Sequence, residues 1–292
     1  MKKLLQLFFL FALSLNCTVI FAAPATTTEE LLQKYNSPKK VKILLVPGHE
    51  INSGGTEYYG LLERELVVRV ADELRKLLAD DRKFEVLQLR DTKQFNSRFE
   101  RYFQKNKNQI ARWVRDTKSK FSRLLKSEKA TMPEASVAHN TVIGDSATRL
   151  YSINRWAGEN DIDIILHIHF NDYAGRNEAE GEEKYSGFAI YIPDTIYQNS
   201  QRSSEVAEFI FSRLSDEYQP SNFPGEDSGI VLSPDLIAIG PFDTSKSASI
   251  LIEYSYIFEP HLQDYFSQEI SFKQMALQTY LGLTDFFQQT TQ

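Results

Sequence analysis

The sequence predicts an α/β protein: a single domain with a mostly parallel twisted sheet, flanked by helices on both faces and carrying a helical insertion. Three observations carry this expectation. Short apolar runs alternate with segments of helical periodicity along the chain. Several of those runs are apolar at every position, which suits strands buried on both faces. No internal repeat and no Pro- or Ser-rich linker divides the 292 residues, a length one domain can hold.

Residues 1–25 read as a secretory signal peptide. Lys2 and Lys3 supply the positive start, Leu4 to Phe21 the apolar stretch, and Ala22, Ala23 and Ala25 the small residues of a cleavage region. The apolar stretch is short for a stable membrane span, so the chain is expected to be exported with no span left after cleavage. The single cysteine, Cys17, lies inside this leader. The exported chain would then have no disulfide, no thiolate metal ligand and no cysteine nucleophile.

Residues 26–40 read as a polar lead. Val41 to Val46 is a buried strand, ended by Pro47-Gly48. Leu62, Leu66, Val70, Leu74 and Leu78 recur every four residues, one face of a helix. Phe84 to Leu89 is a second strand. Arg149 to Asn160 is a helix, Ile162 to Phe170 the most apolar strand, and Gly187 to Ile192 another. A helix follows over Ser203 to Tyr218, then strands over Asp235 to Ile239 and Ala248 to Tyr254, and a closing helix over Phe272 to Phe287. The domain so defined spans residues 41–290.

An insertion at about 96–140 differs in kind. Arg98, Arg101, Lys105, Lys107, Arg112, Arg115, Lys118, Lys120, Arg123, Lys126 and Lys129 face only Glu100, Asp116 and Glu128. Ile110, Trp113, Val114, Phe121, Leu124 and Leu125 lie among them at helical spacing. One or two basic amphipathic helices are expected. They could be a solvated excursion docked by its apolar stripe, a lid over a site, or a grip on an anionic polymer or membrane surface. The chain as a whole carries a formal charge of −6, which excludes broad nucleic-acid binding.

Histidines and carboxylates stand where catalysis in a parallel sheet would need them, beyond strand carboxyl ends. His49 follows the first strand and His169 ends the central one. Glu63 opens the first helix of the domain, with Glu57 and Glu65 as rivals. Glu253 sits in the late apolar run Ile250-Leu251-Ile252-Glu253, where a carboxylate is costly unless paired, ligated or functional. Two imidazoles and a carboxylate with an open position suit hydrolytic zinc, and a second carboxylate could handle protons. There is no compact metalloprotease helix motif, no phosphate-binding loop and no Gly-x-Ser-x-Gly elbow.

The motifs become specific together. Val46-Pro47-Gly48-His49, then Gly54-Gly55, Gly60 and Glu63-Arg64, resembles the opening of zinc-dependent N-acetylmuramoyl-L-alanine amidases. Arg149, Asn154 and His167-Ile168-His169-Phe170-Asn171 resemble that family's central series, and Ile250 to Glu253 its C-terminal strand. The resemblance covers about Lys40 to Phe287. It implies Zn2+ as cofactor, with His49, Glu63 and His169 as ligands and Glu253 as catalytic acid/base. His167, Arg149, Asn154 and Asn171 would be supporting or pocket-lining residues. It also implies peptidoglycan as substrate, the periplasm or cell wall of a bacterium as location, and an activator or regulator acting on the insertion as a partner. Val46, Glu50 and His167 depart from the family's usual Asp, Gly and Ser. A non-catalytic wall-binding or regulatory protein on the same fold, or a zinc amidohydrolase for small acyl-amino acids or peptides, are the alternatives.

Overall fold

Helix α1 (Thr28–Tyr35) opens the chain in the computed structural model, which describes residues 27–127, 131–139, 142–176, 183–240 and 246–289. The leader and Cys17 lie outside the described residues. The lead at 26–40 is thus more than a polar tail. Leu31 and Tyr35 share one helix face and are buried, and Tyr35 stacks on Phe287 with ring centroids 4.5 Å apart.

Six strands form one sheet in the order β4-β1-β5-β8-β6-β7. They are β1 (Val41–Pro47), β4 (Phe84–Gln88), β5 (Ile164–Asn171), β6 (Ala189–Pro193), β7 (Ile230–Ser233) and β8 (Ala248–Tyr256). A two-residue pair, β2 (Glu57–Tyr58) and β3 (Leu61–Leu62), precedes helix α2. Strands β4, β1, β5 and β8 run parallel to one another, whereas β6 pairs antiparallel with β8 and carries β7 alongside it. The sheet is therefore mostly parallel, as expected.

Strand alternation splits the apolar side chains between two layers. Ile43 and Leu45 of β1, Ile164, Leu166 and Ile168 of β5, and Ile250 and Ile252 of β8 point to one layer. There they meet α2 (Glu63–Asp80), α5 (Ser200–Ser215) and α6 (Tyr265–Gln289). Leu44, Val46 and Ile165 point to the other, against Phe99 and Phe103 of α3 (Ser97–Lys126) and Ile153 and Trp156 of α4 (Gly144–Glu159). Each fully buried side chain of this size contributes about 1.5–3 kcal/mol. Close approach matters at Gly282, where a Cβ would stand 2.6 Å from the Ile210 Cα and force α5 and α6 apart.

The strand expected at Asp235 to Ile239 is not one. Ile237–Ile239 is a 3-10 turn ended by Gly240 at φ 80°, and the neighbouring strand is β7. A short apolar run cannot announce its own conformation. Ala238 and Ile239 are buried against Tyr191 and Leu251, so they satisfy the core without joining the sheet. Within the insertion, Ser97–Lys126 forms one continuous helix of 30 residues, with Asn96 Oδ1 capping it by accepting from the Arg98 N–H at 3.0 Å.

Candidate active site

Parallel strands β1, β5 and β8 all deliver their carboxyl ends to one corner, because parallel alignment puts like ends together. His49 leaves β1 two residues after Pro47, Glu63 begins α2, and His169 lies near the end of β5. Their ligand atoms lie within 4.8 Å of one another. His49 Nε2 is 2.7 Å from Glu63 Oε1, and His169 Nδ1 is 3.2 Å from the same oxygen. The His49 contact lacks hydrogen-bond alignment, so this buried nitrogen has no hydrogen-bond partner among the described residues. Close approach without a bond is what donors aimed at a common third atom produce. Glu57 and Glu65, the rival carboxylates, are exposed, and Glu57 pairs instead with Arg64 at 2.9 Å.

Burial alone would raise the Glu63 carboxyl, but the imidazoles of His49 and His169 hold it well below the usual carboxylate range. Backbone donors add to this: Thr56 N–H reaches Oε2 at 2.9 Å and Phe170 N–H reaches Oε1 at 3.1 Å. Burial, partly offset by Glu63, lowers His169 and keeps its imidazole neutral. A neutral His169 imidazole beside an ionised Glu63 carboxylate is the state in which these two groups can ligate a divalent ion.

Two glycines make room for these rings. A methyl on Gly48 would fall inside the His169 imidazole, and one on Gly55 would lie 2.9 Å from His49 Cδ2 and 3.1 Å from Glu63 Oε2. His49 itself has φ 65°, a left-handed backbone uncommon for a side chain of its size. Strain of this kind persists only where the surroundings over-determine it. Here the cause is Arg90, beyond the end of β4. Arg90 is 2% exposed, and its guanidinium donates to the carbonyls of Pro47 (3.2 Å), Gly48, His49 (3.1 Å) and Arg64 (2.9 Å), as well as to that of Asp91 (3.1 Å). One side chain thus fixes the loop bearing the first histidine to the start of the helix bearing the carboxylate.

Glu253 lies beside His169 across the β5–β8 ladder. Its Oε2 is buried with no hydrogen-bond partner among the described residues. Burial first, then the charges of Glu63 and Glu226, push its carboxyl well above the ordinary range. Glu226 is a second buried carboxylate, and it is fully occupied. Asn171 Nδ2 donates to it at 3.0 and 3.1 Å, Ser221 Oγ at 2.5 Å and Tyr256 Oη at 3.1 Å, with Tyr191 Oη also donating. The contrast between the two acids is chemical: Glu226 organises its neighbours, while Glu253 is left able to exchange a proton.

All four residues line one cavity of about 860 Å³, together with His139, Arg149, His167 and Asn171. His167 is buried with neither ring nitrogen paired among the described residues, and burial followed by the nearby His169 pulls it down to about 3, so it is neutral. Arg149 pairs with Glu50 at 3.2 Å and Glu100 at 2.7 Å and lies over the Phe103 ring at 4.0 Å. Asn154 does not line the cavity; its Nδ2 donates to the Ile237 carbonyl at 2.9 Å and anchors the 3-10 turn. His139 stands edge-on to Tyr191, a placement not anticipated from the sequence.

A family model described as N-acetylmuramoyl-L-alanine amidase matches residues 43–285, nearly the whole described domain. The chain belongs to the N-acetylmuramoyl-L-alanine amidase family. Its enzyme class is accordingly that of an amidase, and the match takes in β1, β5 and β8 with all four clustered residues. The CwlD amidase from Clostridioides difficile, solved in complex with the GerS lipoprotein, shares the fold at TM-score 0.54 and 15% identity, covering 85% of this chain and 98% of that one. Ami1 from Mycobacterium smegmatis is similar at TM-score 0.53 and 12% identity, over 87% and 100%. AmiC2 of Nostoc punctiforme matches at TM-score 0.51 and 16% identity, over 86% and 99%. No curated protein matches significantly by sequence. The low identities make this a divergent member of its family.

Proposed function

We propose that this protein is a zinc-dependent amidase that hydrolyses the bond between N-acetylmuramic acid and L-alanine in peptidoglycan. The observation that carries the reading is the convergence of His49, Glu63 and His169 in one cavity, beside a Glu253 whose Oε2 has no hydrogen-bond partner among the described residues. The donor set fits the ion: two imidazoles, one ionised carboxylate, and glycines that leave space around them. Zinc held there supplies Lewis acidity toward the scissile carbonyl and toward water.

The chain's own residues do the remainder. Glu253 takes a proton from the attacking water and returns it to the departing L-alanine nitrogen. A carboxyl raised well above its ordinary value holds that proton between the two steps. Glu226 fixes Asn171 at the end of β5, with Tyr191 and Tyr256 braced behind it. Arg90 keeps the His49 loop in its strained conformation. Arg149 ties that loop, through Glu50, to the first turn of α3.

Export through the leader would bring the enzyme to the periplasm or cell wall. Among the described residues no helix is long and apolar enough to cross a membrane. The CwlD structure is a complex with a lipoprotein; a regulator that acts on this chain through its inserted helix belongs to the same reading.

Digestion of purified peptidoglycan, followed by mass spectrometry, tests it. Free stems beginning at L-alanine should accumulate with zinc and vanish on chelation. Release of amines from small acyl-amino acids while the polymer stays intact would replace the wall substrate with a small one. Intact polymer and intact small amides with zinc bound would contradict both.

A further inference from the structure

Helix α3 carries ten basic and two acidic residues in a chain whose formal charge is −6. The charges are sorted by face. At about 100° per residue, Arg98, Arg101, Lys105, Arg112, Arg115, Lys120, Arg123 and Lys126 fall within one arc of about 140°. All eight are exposed. The apolar side chains Phe99, Phe103 and Ile110 fall on the opposite arc and are buried against the body. Lys107 and Lys118 fall outside this arc and meet the body: Lys107 pairs with Asp145, and Lys118, itself exposed, reaches over the Tyr151 ring.

Elsewhere the protein interleaves its signs. Lys76 pairs with Glu73 and Arg155 with Glu159 one helical turn away. On the outer arc of α3 only Asp116 interrupts the positive charge. Like charges three and four residues apart oppose the helix they sit on. A merely solvated face would relieve this by mixing signs, so the stripe is matched to something negative outside the molecule.

The stripe also has a direction. From Arg98 to Lys126 it runs about 42 Å. Its beginning adjoins the active site: a side cleft lined by Glu50, Phe95, Glu100, Arg101 and Arg149 shares residues with the main cavity. A linear row of cations leading into a hydrolytic cleft suits a linear polyanion better than a point ligand. It suits insertion into a bilayer less well, because the apolar arc that such a helix would need is turned toward the body, with Phe99, Phe103 and Ile110 buried and Trp113, Val114, Phe121 and Leu125 half-buried.

We propose that the outer face of α3 binds the carboxylate-bearing strands of peptidoglycan and leads them to the cleft. The substrate class rests on the reading above, but the binding is measurable without turnover.

The full chain is pelleted with peptidoglycan stripped of phosphate polymers, and separately floated with vesicles of phosphatidylglycerol and phosphatidylcholine. The six residues remote from the cleft are neutralised together (K105Q, R112Q, R115Q, K120Q, R123Q and K126Q), and circular dichroism confirms the helix. Variants of three substitutions each replace it if the six together prevent folding. A charge-keeping variant (R112K, R115K and R123K) tests whether charge or shape is read. The expected result is wall binding weakened on the order of 10-fold, suppressed by salt in the parent, and retained in the charge-keeping variant. Turnover of a short soluble stem-bearing fragment should be unchanged. Wall binding untouched by neutralisation would overturn the proposal, as would vesicle binding without wall binding. Stripe-dependent pelleting by a protein that cleaves neither polymer nor fragment would uphold the binding and refute the amidase reading instead.

Discussion

Two regions of this molecule meet the solvent in opposite ways. The strand-end corner gathers residues from positions 49, 63, 169 and 253, buries most of their atoms, and holds each by several contacts. Helix α3 is a single local segment that turns one apolar stripe inward, pairs Glu100 and Lys107 with the body, and leaves its outer basic face in water. The corner tolerates strain, a left-handed His49 and an unpaired buried Glu253 oxygen, because Arg90, Glu226 and the backbone donors to Glu63 over-determine it. The helix carries no such strain, and its chemistry is additive charge. On the proposed reading, specificity for a bond sits in the corner and breadth of contact on the helix.

The largest effect should come from the group left free to move a proton. Glu253→Gln keeps the shape and removes the proposed acid/base, so turnover should fall on the order of 10²–10⁴-fold. Zinc content, measured by elemental analysis, should not change. Loss of zinc in that variant would make Glu253 a ligand and blur the division of roles within the corner.

Glu63→Gln attacks the corner from the ligand side. Zinc should no longer bind stoichiometrically, and the thermal stabilisation that added zinc confers on the parent should disappear, since only a ligand preferring the folded state raises stability. A variant that still gains melting temperature with zinc would point to Glu57 or Glu65, both exposed in the structure, as the true carboxylate.

Arg90→Met should be intermediate. It strips charge-assisted bonds from five carbonyls, at a cost on the order of 3 kcal/mol in denaturant unfolding. It should also weaken zinc affinity about 10–100-fold by releasing the His49 loop. Lower stability with unchanged zinc affinity would reduce Arg90 to a brace for the fold.

The smallest effect belongs to the helix. Asn96→Ala removes the cap of α3 and should cost about 1 kcal/mol. Cleavage of a soluble fragment should be unaffected. A large loss of activity from this change would show that the helix shapes the cleft as well as extending it.

The same contrast explains what could be read from the sequence. His49 and His169, the proposed ligands, stand at strand ends in apolar surroundings, and Glu253 interrupts an otherwise apolar strand, so each is conspicuous where it stands. The basic helix is conspicuous because charge and apolar spacing are both local. Arg90 and Glu226 were not legible. Arg90 sits in Leu89-Arg90-Asp91 and looks like a solvated strand end; only the fold turns it inward toward three carbonyls of a loop some forty residues earlier. Glu226 lies in Pro224-Gly225-Glu226-Asp227 and looks like a surface turn, yet it is 2% exposed because two tyrosines, a serine and Asn171 close over it. Both are buried by partners distant in the chain, which no local pattern encodes. The 3-10 turn at Ile237–Ile239 was misread for a related reason: burial of Ala238 and Ile239 is set by Tyr191 and Leu251, while a local apolar run fits strand and turn alike.

X-ray absorption at the zinc edge of the zinc-loaded protein tests the division of labour most directly, run in parallel on the parent and on the six-residue α3 variant. The expected result is one tightly bound zinc in both, with two histidine nitrogens near ~2.0–2.1 Å and carboxylate or water oxygens completing a low-coordinate shell. Absence of bound zinc, a shell of oxygens without histidine, or a shell that changes when the helix is neutralised would contradict it.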